Sequence, residues 1–500
     1  MHYVSLIIEC LRGRPALVFW TVALTQAALW TLVPAFLYGA PPGDVPLVLA
    51  IGHEYVLGSY RGPPLAFWLG ETAFRLAGSP GVYLLAQLCI VIAYWAVFTL
   101  GRRIVGTRHA VLGVLLMVGI ASFAVPSVEF GPAVLAAPFW ALALLHYWRA
   151  VGEGQRGYWF VLALDLGLLL LTSYIGLLLL ALLALFTLAA PHGRRAMTAI
   201  EPWIALALLA IVVFPHALWL YERRAQVIDG FNDSVPGGRL SAGLWLSVAL
   251  LLAHAGLALL VALTSGWPRR RGDRAPEIMR SPVERFARIF VLFFALTPAL
   301  AAVAFAFATG RLGPFDALAP LVLLSGLAVM VVAGDTVMLY RERLASTAWL
   351  GLLLGPPALV AAGIVVLPWI APVDLKVAQP AAAMGPFFAD SFQRRTGQPL
   401  AFVSGDERLA PVIALTAPNR PRVYFAWAPD RSPWIGPADL IAQGGVLVWP
   451  ATDNIGAPPP TLKDQFPAML PEAPRAFSRM VQGRLPQIRL GWSVLRPPAP

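Results

Sequence analysis

The chain has 500 residues, 58% hydrophobic and 13% charged, with a mean hydropathy of +0.71. Soluble globular chains carry roughly a quarter charged residues, so these totals exclude that class and indicate a polytopic α-helical membrane protein. The net charge of +11 comes from arginines clustered in short gaps between apolar runs, the pattern of cytoplasmic loops, and no nucleic-acid partner is expected. Cys10 and Cys89 lie in or beside apolar segments and suggest no disulfide framework.

The first apolar run, Ala16 to Tyr38, is longer than the roughly 7–15 residues of a signal-peptide core and reads as an uncleaved anchor. A membrane helix needs about 20 mostly apolar residues. On that basis eleven spans are predicted, near 16–38, 81–100, 110–125, 131–148, 158–171, 174–190, 201–221, 242–264, 286–309, 315–339 and 346–370. The fifth and sixth share one long apolar run whose polar break is Thr172-Ser173-Tyr174. Arginines fall in alternate gaps: Arg12 and Arg14; Arg102, Arg103 and Arg108; Arg149 and Arg156; Arg194 and Arg195; Arg269, Arg270, Arg271, Arg274 and Arg280; Arg341 and Arg343. The positive-inside rule then sets the N-terminus in the cytoplasm. The loops at 39–80 and 222–240, the turn 126–131, the break at Ser173 and the C-terminal tail share the outer face.

The first loop concentrates polar chemistry. It runs Gly39-Ala-Pro-Pro-Gly-Asp44-Val-Pro, then Gly52-His53-Glu54, then Tyr60-Arg61-Gly62-Pro63-Pro64-Leu-Ala-Phe-Trp-Leu69. From Leu65 to Leu76 the spacing is helical but too short to span, with Glu71 and Arg75 four apart, which suits an interfacial amphipathic helix. From about Val373 apolar runs shorten and proline becomes frequent. Strands are predicted at 400–403, 422–427 and 445–449, helices from Asp406 to Leu415 and Pro437 to Gln443, and a last strand at 489–495. Strand-helix-strand-helix-strand implies a small parallel sheet with right-handed crossovers. Two domains follow: 1–372 in the membrane and 373–500 a water-soluble α/β domain.

Several residues admit both a chemical and a plain structural role. Asp44 is either a turn or N-cap residue or a carboxylate that takes a proton from an acceptor hydroxyl. Glu129, in Val125-Pro-Ser-Val-Glu-Phe-Gly-Pro132, either caps the next span or acts with it. Arg61 is cationic on the face that the positive-inside bias depletes of such charge. It matches phosphate oxygens bidentately or snorkels to headgroups. His53 and Glu54 follow Asp44 on the same loop. His216 in Phe214-Pro-His-Ala-Leu-Trp219 is an interfacial histidine or a substrate contact. Asp165, inside the fifth span, is costly in lipid unless paired between helices. Asp229 and Asp233 read as solvated loop residues.

The early acidic residue of the first loop, the Pro-Pro-Leu-Ala-Phe-Trp-Leu run before an interfacial helix, Glu129, and Leu-Leu-Thr-Ser-Tyr-Ile-Gly at 170–176 together resemble the GT-C-fold glycosyltransferases of lipid-linked sugars. The resemblance is to the aminoarabinose and galacturonosyl transferases and the protein O-mannosyltransferases, the glycosyltransferase family 39 type, over residues 15–220. It implies an inverting transfer from a polyprenyl-phosphate-linked sugar to a lipid or glycolipid acceptor of the cell envelope, such as lipid A or lipopolysaccharide core. The implied location is the outer face of a bacterial inner membrane, with the C-terminal domain periplasmic. Asp44 matches the first catalytic acidic residue and Glu129 the second, usually aspartate. His53, Glu54, Arg61, Tyr174 and His216 are the substrate-binding candidates. Aminoarabinose transferases carry Glu-Lys-Pro-Pro where this chain has Arg61-Gly62-Pro63-Pro64, so Arg61 stands in for a phosphate-holding lysine, and the acidic-x-x-Arg-Tyr that usually follows the first aspartate is absent. Some relatives use a divalent cation, but the scatter of Asp44, Glu54, Glu129 and Asp229 over three loops gives a metal no support from spacing. A transporter or lipid flippase is the alternative. It would place ionisable residues and broken helices near the midplane, and only Asp165, Asp335 and His254 speak for it. A membrane-anchored binding protein would not need so many spans.

Overall fold

The computed structural model describes residues 9–231, 238–265, 277–313, 317–451 and 455–498. The Asp229 side chain, Asp233, Arg269, Arg270, Arg271 and Arg274 lie outside the described residues, as does the start of the tenth expected span. Among the described residues six helices are long and apolar enough to cross a membrane: Pro15–Leu37, Leu65–Ile104, Pro132–Gly152, Glu201–Ala225, Arg285–Thr309 and Glu342–Ile370. Two bent pairs raise the number to eight, Thr107–Met117 with Ala121–Val128 at 83° and Gly238–Ala253 with Ala255–Thr264 at 42°. Each of the eleven expected stretches contains helix, but Tyr158–Leu170, Ile175–Ala189 and Leu318–Val332 are shorter. At 1.5 Å per residue such helices fall short of a hydrocarbon core of about 30 Å. The polar break at 172–174 does separate two helices, with Thr172 Oγ1 donating to the Leu168 carbonyl at 2.7 Å. The expected loop at 222–240 is corrected. The helix runs on to Phe231 past a single non-helical residue, Arg223, because Tyr221 to Ile228 contains no glycine or proline to stop it.

By packing the chain forms two compact units, one of Met1–Leu32, Arg61–Leu65 and Tyr83–Ala358, the other of Val33–Tyr60, Ala66–Val82 and Leu359–Pro500. The sequence boundary at 372/373 thus leaves out two segments, the first loop and the helix after it, that pack with the tail.

The larger unit is helical, and its core holds an aromatic cluster. Tyr147 stacks on Phe290 at 6.0 Å, and Phe186 contacts Phe290 and Phe294 at 5.7 and 5.4 Å. Tyr147 also shares a hydrogen bond with Thr187 at 2.8 Å. Buried polar groups pair across helices, as a low-dielectric interior demands: Asp165 with His146 at 2.5 Å, and His254 with Ser325 at 2.8 Å. Helices Thr107–Met117 and Ser325–Val332 meet backbone to backbone. A Cβ added to Gly326 would stand 2.1 Å from the Gly113 carbonyl oxygen.

In the other unit the tail forms a five-stranded sheet ordered 422–424, 402–405, 445–450, 488–495, 470–477. The first three strands are parallel, pairing Phe402 with Arg422 and with Gly445. The three strands expected to form a parallel sheet do so, and the last two are antiparallel additions that make the whole sheet mixed. Strand Leu470–Phe477 was hidden by Pro471 and Pro474. It lies at the sheet edge with a bulge between Glu472 and Arg475, the place where proline costs no ladder bond. Side chains alternate faces with period two. Val403, Val423, Val446 and Val448 join one core and Phe402, Tyr424, Leu447 and Trp449 the other, which is why the central strands read as continuous apolar runs. Asp406 opens the helix at 409–416 by accepting the Arg408 and Leu409 amides at 3.0 and 2.9 Å.

The first core also takes in Leu47, Val48, Ile51, Tyr60 and Phe67. The expected open loop after Asp44 is therefore corrected to a short helix, Val45–Gly52, buried at every residue but Ala50. The sequence codes it as an aspartate at the N-cap, proline in the first turn and an unbroken apolar run.

The backbone contact at Gly326 makes a stability prediction. Gly326→Leu should destabilise the protein by about 1–3 kcal/mol, the usual cost of overpacking. Gly355→Leu, whose Cβ would meet nothing within 4 Å, should leave the thermal midpoint of the detergent-purified protein unchanged or slightly raised. Equal midpoints for the two variants would contradict the close helix contact.

Candidate active site

The residues singled out from sequence fall into two sets. Asp44, His53 and Glu54 belong to the unit built on the tail. Arg61, Glu129, Tyr174 and His216 belong to the helical unit.

Asp44 occupies the N-cap of Val45–Gly52 and is exposed, and its side chain makes no capping hydrogen bond. His53 closes the same helix, its amide donating to the Leu49 carbonyl at 3.0 Å. Its Nδ1 lies 3.2 Å from Glu71 Oε1. Glu54 is almost buried, and both its oxygens take Arg422 Nε at 3.0 Å, while Arg422 Nη2 also reaches the Trp434 carbonyl at 2.9 Å. The hydrogen bond to Glu54 holds the Arg422 guanidinium above its usual range against the opposing effect of burial. Glu71, 1% exposed, accepts from Arg75 Nε and Arg420 Nη2, each at 2.8 Å. The space between Ala50, His53, Pro411, Leu415, Arg420 and Arg422 amounts to about 10 Å³, room for one water. His53 and Glu54 thus serve first as partners of buried charges.

In the helical unit Arg61 is exposed, beside Gly62 at φ +137°. A few residues on, the Leu65 amide donates to the Leu171 carbonyl at 2.9 Å, which ties the Arg61–Leu65 segment to the break that carries Tyr174. Tyr174 Oη and His216 Nε2 are 3.2 Å apart, their rings 5.9 Å between centres. His216 is buried one residue after a proline inside helix Glu201–Phe231. These two residues, 42 positions apart in sequence, are brought together as a pair.

Glu129 is exposed at the end of the one-turn helix Val125–Val128. Two buried glutamines fix that turn. Gln87 Nε2 donates to the Ser127 carbonyl and Oγ at 3.3 and 3.1 Å, and Ser127 Oγ donates to the Ala124 carbonyl at 2.6 Å. Gln26 Nε2 donates to the Phe123 carbonyl at 2.7 Å and lies 3.2 Å from Tyr94 Oη. Neither glutamine was picked out from sequence, although an amide inside an apolar span is a usable signal because lipid leaves it unsatisfied. Glu71, Arg420 and Arg422 were also missed as a group. Glu71 was visible through its four-residue spacing to Arg75, whereas nothing local marks the two arginines. Among the described residues no three His, Cys, Asp or Glu side chains are grouped to hold a metal ion.

Comparison with known proteins bears on fold and family. Residues 61–219 match the family described as dolichyl-phosphate-mannose-protein mannosyltransferase. The lipid A galacturonosyltransferase RgtD of Rhizobium johnstonii is 30% identical over 204 residues, 40% of this chain and 43% of that protein, so the chain matches less than half of that relative's length. ArnT from Cupriavidus metallidurans bound to undecaprenyl phosphate superposes on 97% of this chain and 99% of its own, with a TM-score of 0.60 at 14% identity. The same protein in its apo state gives 0.50 at 12% identity over the same shares, and likeness at such identity speaks for fold alone. The chain thus shares the fold of ArnT, and in its matched segment it is similar to glycosyltransferases of the group its opening loop resembles.

Proposed function

We propose that the protein is an inverting glycosyltransferase that moves a sugar from a polyprenyl phosphate to an envelope acceptor, a lipid A, lipopolysaccharide core or other glycolipid, at the outer face of the bacterial inner membrane. The observation that carries this reading is Asp44, an exposed carboxylate at the head of a buried helix in the loop that resembles the family's opening loop. In the reaction the acceptor oxygen attacks the anomeric carbon, the bond from that carbon to the phosphate oxygen breaks, and polyprenyl phosphate leaves with the electron pair. Asp44 takes the proton from the attacking hydroxyl. Glu129, on a turn held by Gln87 and Gln26, stabilises positive charge developing on the sugar. Arg61 compensates charge on the departing phosphate. Tyr174 and His216, held as a pair, contact the donor close to Arg61. Six to eight candidate membrane spans supply the apolar surroundings that an isoprenoid chain needs.

The transporter alternative gains two bent helices. However, two of the ionisable residues that would have served it are engaged within the fold, buried Asp165 by His146 and half-buried His254 by Ser325.

Asp44→Asn and Glu129→Gln should each lower transfer from a synthetic polyprenyl-phosphate sugar by about 10²-fold or more, the scale of a lost acid–base group, with unchanged yield and thermal midpoint. Full activity in both variants would remove these roles. Arg61→Ala should raise the apparent KM for donor more than it lowers kcat, and an unchanged donor dependence would return Arg61 to a headgroup contact. Deleting the gene should remove one sugar from one envelope glycolipid by mass spectrometry, and an unaltered glycolipid profile would count against the proposal.

A further inference from the structure

Burying a carboxylate is unfavourable unless several donors meet it, and removing one partner of a buried pair costs more than the pair contributes. Two carboxylates of the unit that carries Asp44, Glu54 and Glu71, are buried in this way. Each has an arginine partner from one short stretch of the tail, Arg420-Pro421-Arg422.

The first loop is held by the tail at three places. At its start the Gly39 and Ala40 amides donate to the Val377 carbonyl at 2.7 and 3.2 Å. No larger residue fits at Gly39, since a Cβ there would lie 2.4 Å from the Gln379 carbonyl oxygen. In the middle, helix Val45–Gly52 sits in the sheet's core, and Glu54 just beyond it is gripped by Arg422. At its end Tyr60 meets Phe425 edge-on at 6.1 Å, with the Arg431 guanidinium 4.6 Å from its ring centre. Asp44 lies between the first and second of these anchors.

The backbone is strained where the charges meet. Tyr55, next to Glu54, and Arg420 both adopt φ +48°, a region that non-glycine residues occupy only when their surroundings fix them there. Arg420 is held on two sides, by Glu71 at 2.8 Å and by the Phe74 ring at 4.4 Å.

We infer that the C-terminal α/β segment is a clamp on the loop that carries Asp44, with Arg422 and Arg420 as positioning residues that set the carboxylate's place for sugar transfer through Glu54 and Glu71. This assigns the tail to the reaction itself, and its effect on turnover rests on the role proposed for Asp44. The clamp acts on the step that needs the base, so its loss lowers kcat and spares donor binding.

The test uses the full-length protein in detergent, with hydrogen–deuterium exchange of residues 45–56 read beside transfer kinetics. Arg422→Gln and Glu54→Gln should each raise exchange in 45–56 and lower kcat about 10- to 100-fold, the scale of a small misplacement of a catalytic group, with donor KM changed less than threefold. The charge-swapped double variant Glu54→Arg/Arg422→Glu should recover much of both signals. Unchanged exchange in both single variants would overturn the clamp. Raised exchange at full kcat would overturn the positioning role. Because exchange is read without substrate, a failure of the Asp44 assignment, seen as full activity of Asp44→Asn, is distinguishable from a failure of the clamp.

Discussion

A carboxylate at 1% exposure holds much of this arrangement together. Glu71 stands in the helical stretch that precedes the break at Ala77 and Gly78, and only the donors of His53, Arg75 and Arg420 make its burial tolerable. Those donors come from three separate parts of the sequence, so the ion cluster fixes their mutual position. Glu54 and Arg422 repeat the device a short way along the chain. Hydrophobic burial brings helix Val45–Gly52 into the tail's core, but burial has no direction, and it is the paired charges that specify one register for the loop.

The same logic governs the helical unit in a drier setting. Inside apolar helices a lone amide or imidazole has no water to turn to, and each one named here finds a protein partner. Gln87 and Gln26 spend theirs on the backbone of the turn before Glu129. Tyr174 and His216 meet each other across two helices. The proposed reaction therefore rests on polar groups positioned by buried hydrogen bonds, a preorganisation that requires little rearrangement as charge develops.

Much of this was legible in the residues. Composition and run length gave the membrane class, Thr172-Ser173-Tyr174 marked the break between two helices, and the apolar strands of the tail stood out against its prolines. The opening loop carried the family resemblance. What escaped was contact at long range. Helix Val45–Gly52 looked like loop because its apolar side faces a sheet more than 300 residues away in sequence. Strand Leu470–Phe477 was masked by prolines that only an edge position tolerates. Arg420 and Arg422 looked like ordinary charges of a soluble segment, since a side chain's partner is set by the fold and leaves no local trace. The short helices 158–170 and 175–189 show the converse, because run length reports apolarity more faithfully than it reports a crossing.

The central claim is that this chain splits a sugar from a polyprenyl phosphate and joins it to an acceptor with inversion. The most direct measurement reconstitutes the purified full-length protein in lipid vesicles with a synthetic polyprenyl-phosphate sugar of defined anomeric configuration and an envelope glycolipid extract. Free polyprenyl phosphate and the product linkage are then followed together. One polyprenyl phosphate released for each sugar transferred, with the opposite anomeric configuration in the product, is the result predicted. Transfer with retained configuration, or no donor cleavage by a folded protein across a panel of donor sugars, would contradict it.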